Sequence, residues 1–459
     1  MRPKTSGDVP TDDLFRLRLE QMIDSRHELV RLADLIDWSR FDAEFDGLFH
    51  PSRGAPAVPT RMIAGLHYLK HTFALSDEDV VRRWVENPYW QYFCGEIYFR
   101  HEMPIHPTTM TRWRKRIGES GCEWLLTETI DAARRAGALA DGDCARVNVD
   151  TTVQEKNIAH PTDGKLIDDA RRHLVKLVTE HGLSLRQNYN RVAKTMRRKI
   201  AGYGHAKQYR RMRRQIKLLK TRLGRVVRDI ERQLPNESAA TCEAFAHRLS
   251  QARQLLVQTK SSKNKLYSLH APETECIAKG KAHKRYEFGV KVSFATTNRT
   301  GFVLGARSYP GNPYDGHTLD DQLQQAETPS GVTPTHCYVD RGYRGHGVTR
   351  SRVFIAGQRR LSRRQKRALR RRSAIEPEIG HMKNDGRLRR CFLKGTLGDA
   401  MNVILVGAGH NLRKLLAWLR AQPFYALIRE PLIALITLIE RWLSPVTAAE
   451  HRFGNVLTP

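Results

Sequence analysis

In ARVNVDTTVQ, Val147, Val149 and Thr151 alternate with Asn148, Asp150 and Thr152, the period-two pattern of a strand. Strand character does not return for more than a hundred residues. It then appears in RYEFGVKVSFATTN, in GFVLGARSYPG across the turn residues NRTG, and in the short run HCYVD, which ends at Asp340. A first strand this far from its sheet partners is the strongest constraint on the fold. The strands must meet in one α/β core, and the segment between them must leave that core and return to it.

That segment is basic and helical in pattern. In HAKQYRRMRRQIKLLKTRLGRVVRDIERQLP the apolar residues Met212, Ile216, Leu219, Leu223, Val226 and Ile230 follow at steps of four and three. Pro235 and Asn236 break the run, and Phe245, Leu249, Ala252 and Leu256 resume it. Residues 165–275 are therefore expected to form an inserted helical hairpin, with a coiled-coil dimerisation arm as the alternative.

Ahead of the first strand, Thr60 to Leu139 is helical in pattern. PTRMIAGLHYLKHTFAL reads as an amphipathic helix, and Ser76 with Asp79 forms a capping-box-like start to SDEDVVRRWVENP. HPTTMTRWRKRIG reads as a short helix crowded with Arg112, Arg114, Lys115 and Arg116. Short helices with one basic member suggest a helix-turn-helix-like DNA-binding unit. The alternative is a packing domain whose basic face is merely solvated.

The 459 residues carry 78 Lys plus Arg against 48 Asp plus Glu, a formal charge of +30. So large an excess calls for a polyanion, and nucleic acid is the leading partner ahead of a ribosome or membrane surface. The seven cysteines, at 94, 122, 144, 242, 276, 337 and 391, form no CxxC pair. They suggest a reduced, cytoplasmic protein without a structural zinc site. The N-terminal stretch MRPKTSGDVPTDDLF lacks the apolar run of a signal peptide. The apolar run Pro431–Ile439 is too short to span a bilayer and is expected to be a buried helix, so no membrane partner is expected.

Three acids carry the expected chemistry. Asp150 lies inside an apolar strand, where a carboxylate is costly unless compensated, and Asp340 ends another; carboxylates on neighbouring strands can face one another. Either alone could be a turn or capping residue. Glu376 lies four residues after Arg372 and seven before Lys383, so on a continuous helix the three share a face. Because Pro377 prefers a first turn, the helix is expected to begin at Glu376, with Arg372 arriving from an adjoining segment. Glu378 is the rival third acid. Three carboxylates can hold two Mg²⁺ ions roughly 4 Å apart, which serve the entering and leaving oxygens of phosphodiester cleavage.

VNVDTT, then VDRGYRGH, then R-x3-E-x6-K in RRSAIEPEIGHMK resemble the DDE signature of bacterial insertion-sequence transposases, specifically the insertion-sequence-five family. NPYWQYFCGE, HPTTMTRWRKRIGE, GNPYDGHTL and GRLRRCFLKGTLGDAMNVILVGAGHNLRKLL resemble that family's recurrent segments, so the likeness runs from about residue 50 to about residue 420. It implies a ribonuclease-H-like core with Asp150, Asp340 and Glu376 as ligands for two Mg²⁺ ions, Mn²⁺ substituting, and with Arg372 and Lys383 near DNA phosphates. Related transposases carry a tyrosine three residues before the arginine, where this chain has Leu369. The metal ligands are untouched, but this chain has no tyrosine there to touch DNA.

The expected architecture is an all-helical DNA-binding domain at 1–140, an α/β ribonuclease-H-like catalytic domain at 141–164 and 276–400, the insertion at 165–275 and a helical segment at 401–459. The expected function is a nucleoid-associated DNA transposase. It would bind terminal inverted repeats and target DNA, and would work as a homodimer or larger assembly because two ends must be paired. A plain metal-dependent nuclease would need neither a separate DNA-binding unit nor the insertion. A catalytically silent repressor derived from a transposase would not need all three acids.

Overall fold

The computed structural model describes residues 16–50, 52–54, 56–278 and 285–443, the last helix as backbone alone from residue 423. The N-terminal part is helical: α1 (Leu19–Met22), α2 (Glu28–Leu35), α3 (Ser39–Phe45), α4 (Thr60–Thr72), α5 (Asp77–Glu86), α6 (Pro88–Phe93), α7 (Pro107–Arg135) and α8 (Asp141–Cys144). The Ser76 side chain accepts from the Asp79 amide at 3.0 Å, so the start of α5 is capped as its sequence suggests. The basic helix is longer than expected. α7 runs for 29 residues and is interrupted only where Gly118 takes φ 66°, a conformation open to glycine.

β1 (Arg146–Glu155) leads into the insertion: α9 (Asp163–Glu180), α10 (Asn190–His205), α11 (Tyr209–Gln233) and α12 (Ala239–Val257). The hairpin expectation is corrected to four helices around a core of their own. Leu219, Leu223, Val226 and Ile230 of α11 are buried with Leu166 and Leu174 of α9, Ala193 and Ile200 of α10, and Phe245 and Leu249 of α12. The heptad-type stripe is thus largely covered within the chain, which removes the apolar surface a dimerisation arm would need.

The chain returns as β2 (Glu275–Ala278), β3 (Tyr286–Thr297), β4 (Val303–Tyr309), α13 (Asp315–Ser330), β5 (His336–Val339), β6 (Arg352–Ile355), α14 (Arg363–Arg370), α15 (Ile375–Asn384) and α16 (Gly395–Leu443). One six-stranded sheet runs β2-β3-β1-β5-β6, with β4 also on β3. β3 is antiparallel to β1, β2 and β4, whereas β1, β5 and β6 are parallel. Val147, Asn148 and Val149 of β1 are all buried, as a strand covered on both faces requires.

The N-terminal helices have no core separate from the sheet. Phe41, Tyr68, Trp84 and Trp113 belong to one apolar cluster with Val147, Phe294, Leu405 and Leu412, so residue 140 divides elements of a shared interior. α16 joins them. Asn411 accepts from the Val303 amide at 2.7 Å and donates to the Val303 carbonyl at 2.8 Å and to Thr129 Oγ1 at 3.1 Å, tying β4 and α7 to one side chain. The run Pro431–Ile439 lies on the backbone of α16, and its burial lies outside the described residues.

At Gly409 the axis of α16 comes against α4 so closely that a β-carbon would lie 2.5 Å from the His71 carbonyl carbon and oxygen. Gly409→Ala is expected to destabilise the protein by about 1–3 kcal/mol, the usual cost of overpacking. Guanidinium unfolding should show a lower midpoint at unchanged slope.

Candidate active site

Asp150 and Asp340 are brought together by strand register. β1 pairs in parallel with β5 through Arg146↔His336, Val147↔Cys337 and Asn148↔Tyr338. Continued two residues past its last pair, the same register carries Asp150 of β1 level with Asp340, the residue that follows β5 and caps the next turn. Backbone amides orient both carboxylates. Thr151 N donates to Asp150 Oδ1 at 2.8 Å, and Gly342 N donates to Asp340 Oδ1 at 2.8 Å.

The third acid arrives by way of Asn148. Its Nδ2 donates to the Arg371 carbonyl at 3.4 Å, while Asn298 Nδ2 donates to Asn148 Oδ1 at 2.6 Å and to the Ala368 carbonyl at 3.1 Å. These bonds dock the end of α14 over β1 and deliver α15 beside it. The chain is helical through the 3-10 turn Arg371–Ala374 into α15, so Arg372 and Glu376 lie on one continuous path rather than on adjoining segments. Pro377 is third in α15, where its missing N–H costs nothing. Arg372 Nη2 donates to Glu376 Oε1 at 3.4 Å, and the Glu376 side chain is 62% exposed. Lys383, at the other end of α15, is half-buried.

Glu378 is engaged elsewhere. Its Oε1 accepts from Lys414 Nζ at 2.7 Å, and Oε2 lies 2.9 Å from His410 Nε2. Burial would raise its carboxyl, but these partners on α16 bring it down to about 2. It is a bracket between α15 and α16.

Two residues beside the aspartates were not singled out from the sequence. Asp315, at the start of α13, accepts from Thr151 Oγ1 at 3.0 Å and from Lys291 Nζ at 2.9 Å. A β-carbon at Gly342 would lie 3.0 Å from Asp340 Oδ1 and 3.4 Å from Asp315 Oδ2, which makes these two acids neighbours. Asp315 stands in GNPYDGHTL, so the signal was present but carried no strand or helix pattern to point at the site. Tyr343 ends the 3-10 turn Arg341–Tyr343 and is fully buried, and its hydroxyl has no hydrogen-bond partner among the described residues. Burial, then the charges of Asp150, Asp315 and Asp340, holds its phenol well above the usual range.

The proposed DNA-contacting cations divide. Arg112, Lys115 and Arg116 are exposed on α7, with Arg116 over the Phe49 ring at 4.9 Å. Arg114 is corrected out of the set because it is 2% exposed. Its Nη1 and Nη2 donate to Asp77 Oδ1 and Oδ2 at 2.8 and 2.6 Å. Lys70 Nζ donates to the same carboxylate at 2.7 Å. Burial lowers the Lys70 ammonium to about 8 and the His67 imidazole to about 3, so His67 is neutral at pH 7. His67 Nδ1 lies 2.8 Å from the Ile63 carbonyl, which can only accept, leaving Nε2 to accept from Arg114 Nη1 at 3.3 Å. The helical period puts Arg114 beside the face of Met110 and Ile117, but its partner 37 residues away left no local signal.

Closer to Glu376 along the chain, Arg363, Arg364, Lys366, Arg367 and Arg370 are exposed on α14, and Arg371 is exposed in the turn that follows. A cleft of about 360 Å³ opens between this helix and the loop after β6, with Lys366, Leu369, Arg370 and Arg372 in its wall. Leu369, in the place of the family's tyrosine, therefore faces a basic cleft. A second cleft, of about 1030 Å³, lies in the insertion and is lined by Lys165, Arg172, Lys194, Arg197 and Arg198.

Carboxylate oxygens at Asp150 and Asp340 suit a hard divalent cation, and the partnerless Tyr343 hydroxyl sits beside them. Among the described residues no three His, Cys, Asp or Glu side chains stand close enough to hold one ion together.

Residues 17–116 match the family model described as Transposase domain (DUF772), and residues 336–416 match the one described as Transposase DDE domain. These matches span α1 to the first part of α7 and the stretch carrying Asp340 and Glu376, and they indicate a DNA transposase. An uncharacterized protein, ORF8 in the nfe locus of Rhizobium meliloti, is 53% identical over 211 residues, covering 46% of this chain and 100% of the relative. The chain belongs to the bacterial DDE-type insertion-sequence transposases. No solved structure matches it.

Arg114→Ala should unfold the N-terminal helices rather than weaken DNA binding selectively. Removing Arg114 leaves the Asp77 carboxylate with Lys70 as its only cationic partner of the two and breaks a buried pair, at a cost on the order of 3–5 kcal/mol, whereas Arg112→Ala and Lys115→Ala should stay within about 0.5 kcal/mol. Thermal unfolding of the three variants checks this. Glu378 gives a pH test. Its folded value near 2 lies below its ordinary 4.5, so its contribution is present above pH 4.5 and is lost as pH falls toward 2. Glu378→Gln should be less stable at neutral pH and should show a shallower loss of stability across that acid range.

Proposed function

We propose that this transposase binds the terminal inverted repeats of its element, hydrolyses the strands at the element ends and joins the freed 3′-hydroxyls to target DNA. Asp150, Asp340 and Glu376 would hold two Mg²⁺ ions, with Mn²⁺ as substitute. The observation that carries this reading is the parallel register of β1 and β5, whose continuation leads from Asn148 and Tyr338 to Asp150 and to Asp340 just past β5. A β1 flanked by an antiparallel hairpin on one side and two parallel strands on the other supports a ribonuclease-H-like core. The quoted sequence blocks favour the insertion-sequence-five family within the wider group.

Bound metal would supply Lewis acidity at the attacking and leaving oxygens. The chain's own residues do the rest. The amides of Thr151 and Gly342 orient the two aspartates, and Asn148 anchors the helix that carries Glu376. Arg372 holds the Glu376 carboxylate by a hydrogen bond while metal is absent and is then free to pair with a phosphate. The exposed cations of α14 lie just before Glu376 along the chain and would hold phosphates. Arg112, Lys115 and Arg116 on α7 and the basic cleft of the insertion would hold flanking duplex. Pairing of two ends implies a homodimer or larger assembly during reaction. Among the described residues no helix is long and apolar enough to cross a membrane.

Asp150→Asn, Asp340→Asn and Glu376→Gln should each abolish cleavage and joining of DNA bearing the element ends, while DNA binding and folding persist. Double substitutions should be no worse, because the acids act as one unit. Ca²⁺, with its larger coordination shell, should support binding with little cleavage. An active Glu376→Gln beside an inactive Glu378→Gln would reassign the third ligand. Alanine at Arg363, Arg367 and Arg370 together should lower the slope of log affinity against log salt by about one for each phosphate that is no longer neutralised. An unchanged slope would remove α14 from the DNA surface.

A further inference from the structure

Tyr343 poses a question that packing alone does not answer. Its ring is fully buried at the end of the turn after β5, and phenylalanine would fill the same space. The hydroxyl nonetheless lies inside the protein without an acceptor, an arrangement that costs free energy unless a partner arrives. The acids that act on it most strongly are Asp150, Asp315 and Asp340, the carboxylates at the proposed metal site.

Those carboxylates are otherwise oriented by donors. Thr151 N holds Asp150, Gly342 N holds Asp340, and Thr151 Oγ1 with Lys291 Nζ holds Asp315. Gly342, next to Tyr343, has no side chain to separate Asp340 from Asp315, so the turn lies directly against both acids.

We propose that Tyr343 is a positioning residue for the metal site, its hydroxyl donating a hydrogen bond to one of the site's aspartate carboxylates when a divalent cation draws that carboxylate into its ligating orientation. The proposal rests on the assignment of Asp150 and Asp340 as metal ligands. Outer-shell donors fix the orientation of ligand oxygens and raise metal affinity, and their loss costs about 10- to 100-fold. The phenol keeps its proton in these surroundings, since burial and the neighbouring acids oppose its ionisation. Asp315, neutralised by Lys291, stays on its own partners.

The test compares full-length wild type, Tyr343→Phe and Asp340→Asn by titration with Mn²⁺, free ion being read from its electron paramagnetic resonance signal, alongside thermal midpoints without metal. Tyr343→Phe should bind Mn²⁺ at least about tenfold more weakly. Its metal-free midpoint should be equal to or above that of wild type, because an orphaned polar group has been removed. Asp340→Asn should lose tight binding. Wild-type Mn²⁺ affinity in Tyr343→Phe, with binding lost in Asp340→Asn, overturns the positioning role and leaves the metal-ligand assignment standing. Unchanged affinity in both variants overturns both. Should Tyr343→Phe fail to fold, tyrosine difference absorption of the wild type serves instead. A shift to longer wavelength on Mn²⁺ addition that is missing in Asp340→Asn supports the hydrogen bond, and no shift in the wild type overturns it.

Discussion

β1 is hydrogen-bonded to β3 from Val147 to Glu155, while its first residues pair with β5. That one strand therefore sets the sheet's register on both sides. A slip of one residue against β5 would turn Asp340 to the other face and part it from Asp150. The insertion leaves from the end of β1, the third acid is hung on Asn148 within it, and α13 meets it through Thr151 and Asp315. A strand covered on both faces tolerates no such slip, because Val147, Val149 and Val153 must all remain inside.

Buried ion pairs then tie distant parts of the chain to this frame. Lys156, just past β1, has Glu273 Oε1 and Asp399 Oδ1 each at 2.8 Å, joining the exit and return of the insertion to the start of α16. The four-helix insertion can thus carry its own core and still be rooted at a defined point. Arg114 and Lys70 around Asp77 do the same between α7, α4 and α5. Such pairs offset their desolvation only when geometry is close, so they specify one arrangement more than they add to stability.

Patterns of short range were readable. The alternation at residues 147–152, the cap at Ser76 and the stripe of α11 depend on neighbours within a few residues, and each predicted its element. β2 and β6, four residues each, were too short to show a period. α9 and α10 were not distinguished within the expected hairpin, although their apolar residues complete the same core as the stripe of α11. Of the candidate site, the three acids were legible because two sit at unusual places in strands and the third lies within a recognisable spacing. Asp315 and Tyr343 were not, since their significance lies in what surrounds them.

The sequence by itself determined the class of core, the interruption after the first strand, the basic character that calls for DNA and the identity of the candidate acids. These follow from composition and from the periods of 2 and 3.6 imposed by local backbone geometry. Only the tertiary structure decided that Arg114 is a buried structural cation, that Glu378 is a bracket to α16 and that the N-terminal helices share a core with the sheet. It also decided that a partnerless hydroxyl stands beside the aspartates. The physical reason is range. Burial, pairing and electrostatic environment are set by residues tens to hundreds of positions away, such as Asp77 for Arg114 and Lys414 for Glu378, and no local pattern records where the chain will return.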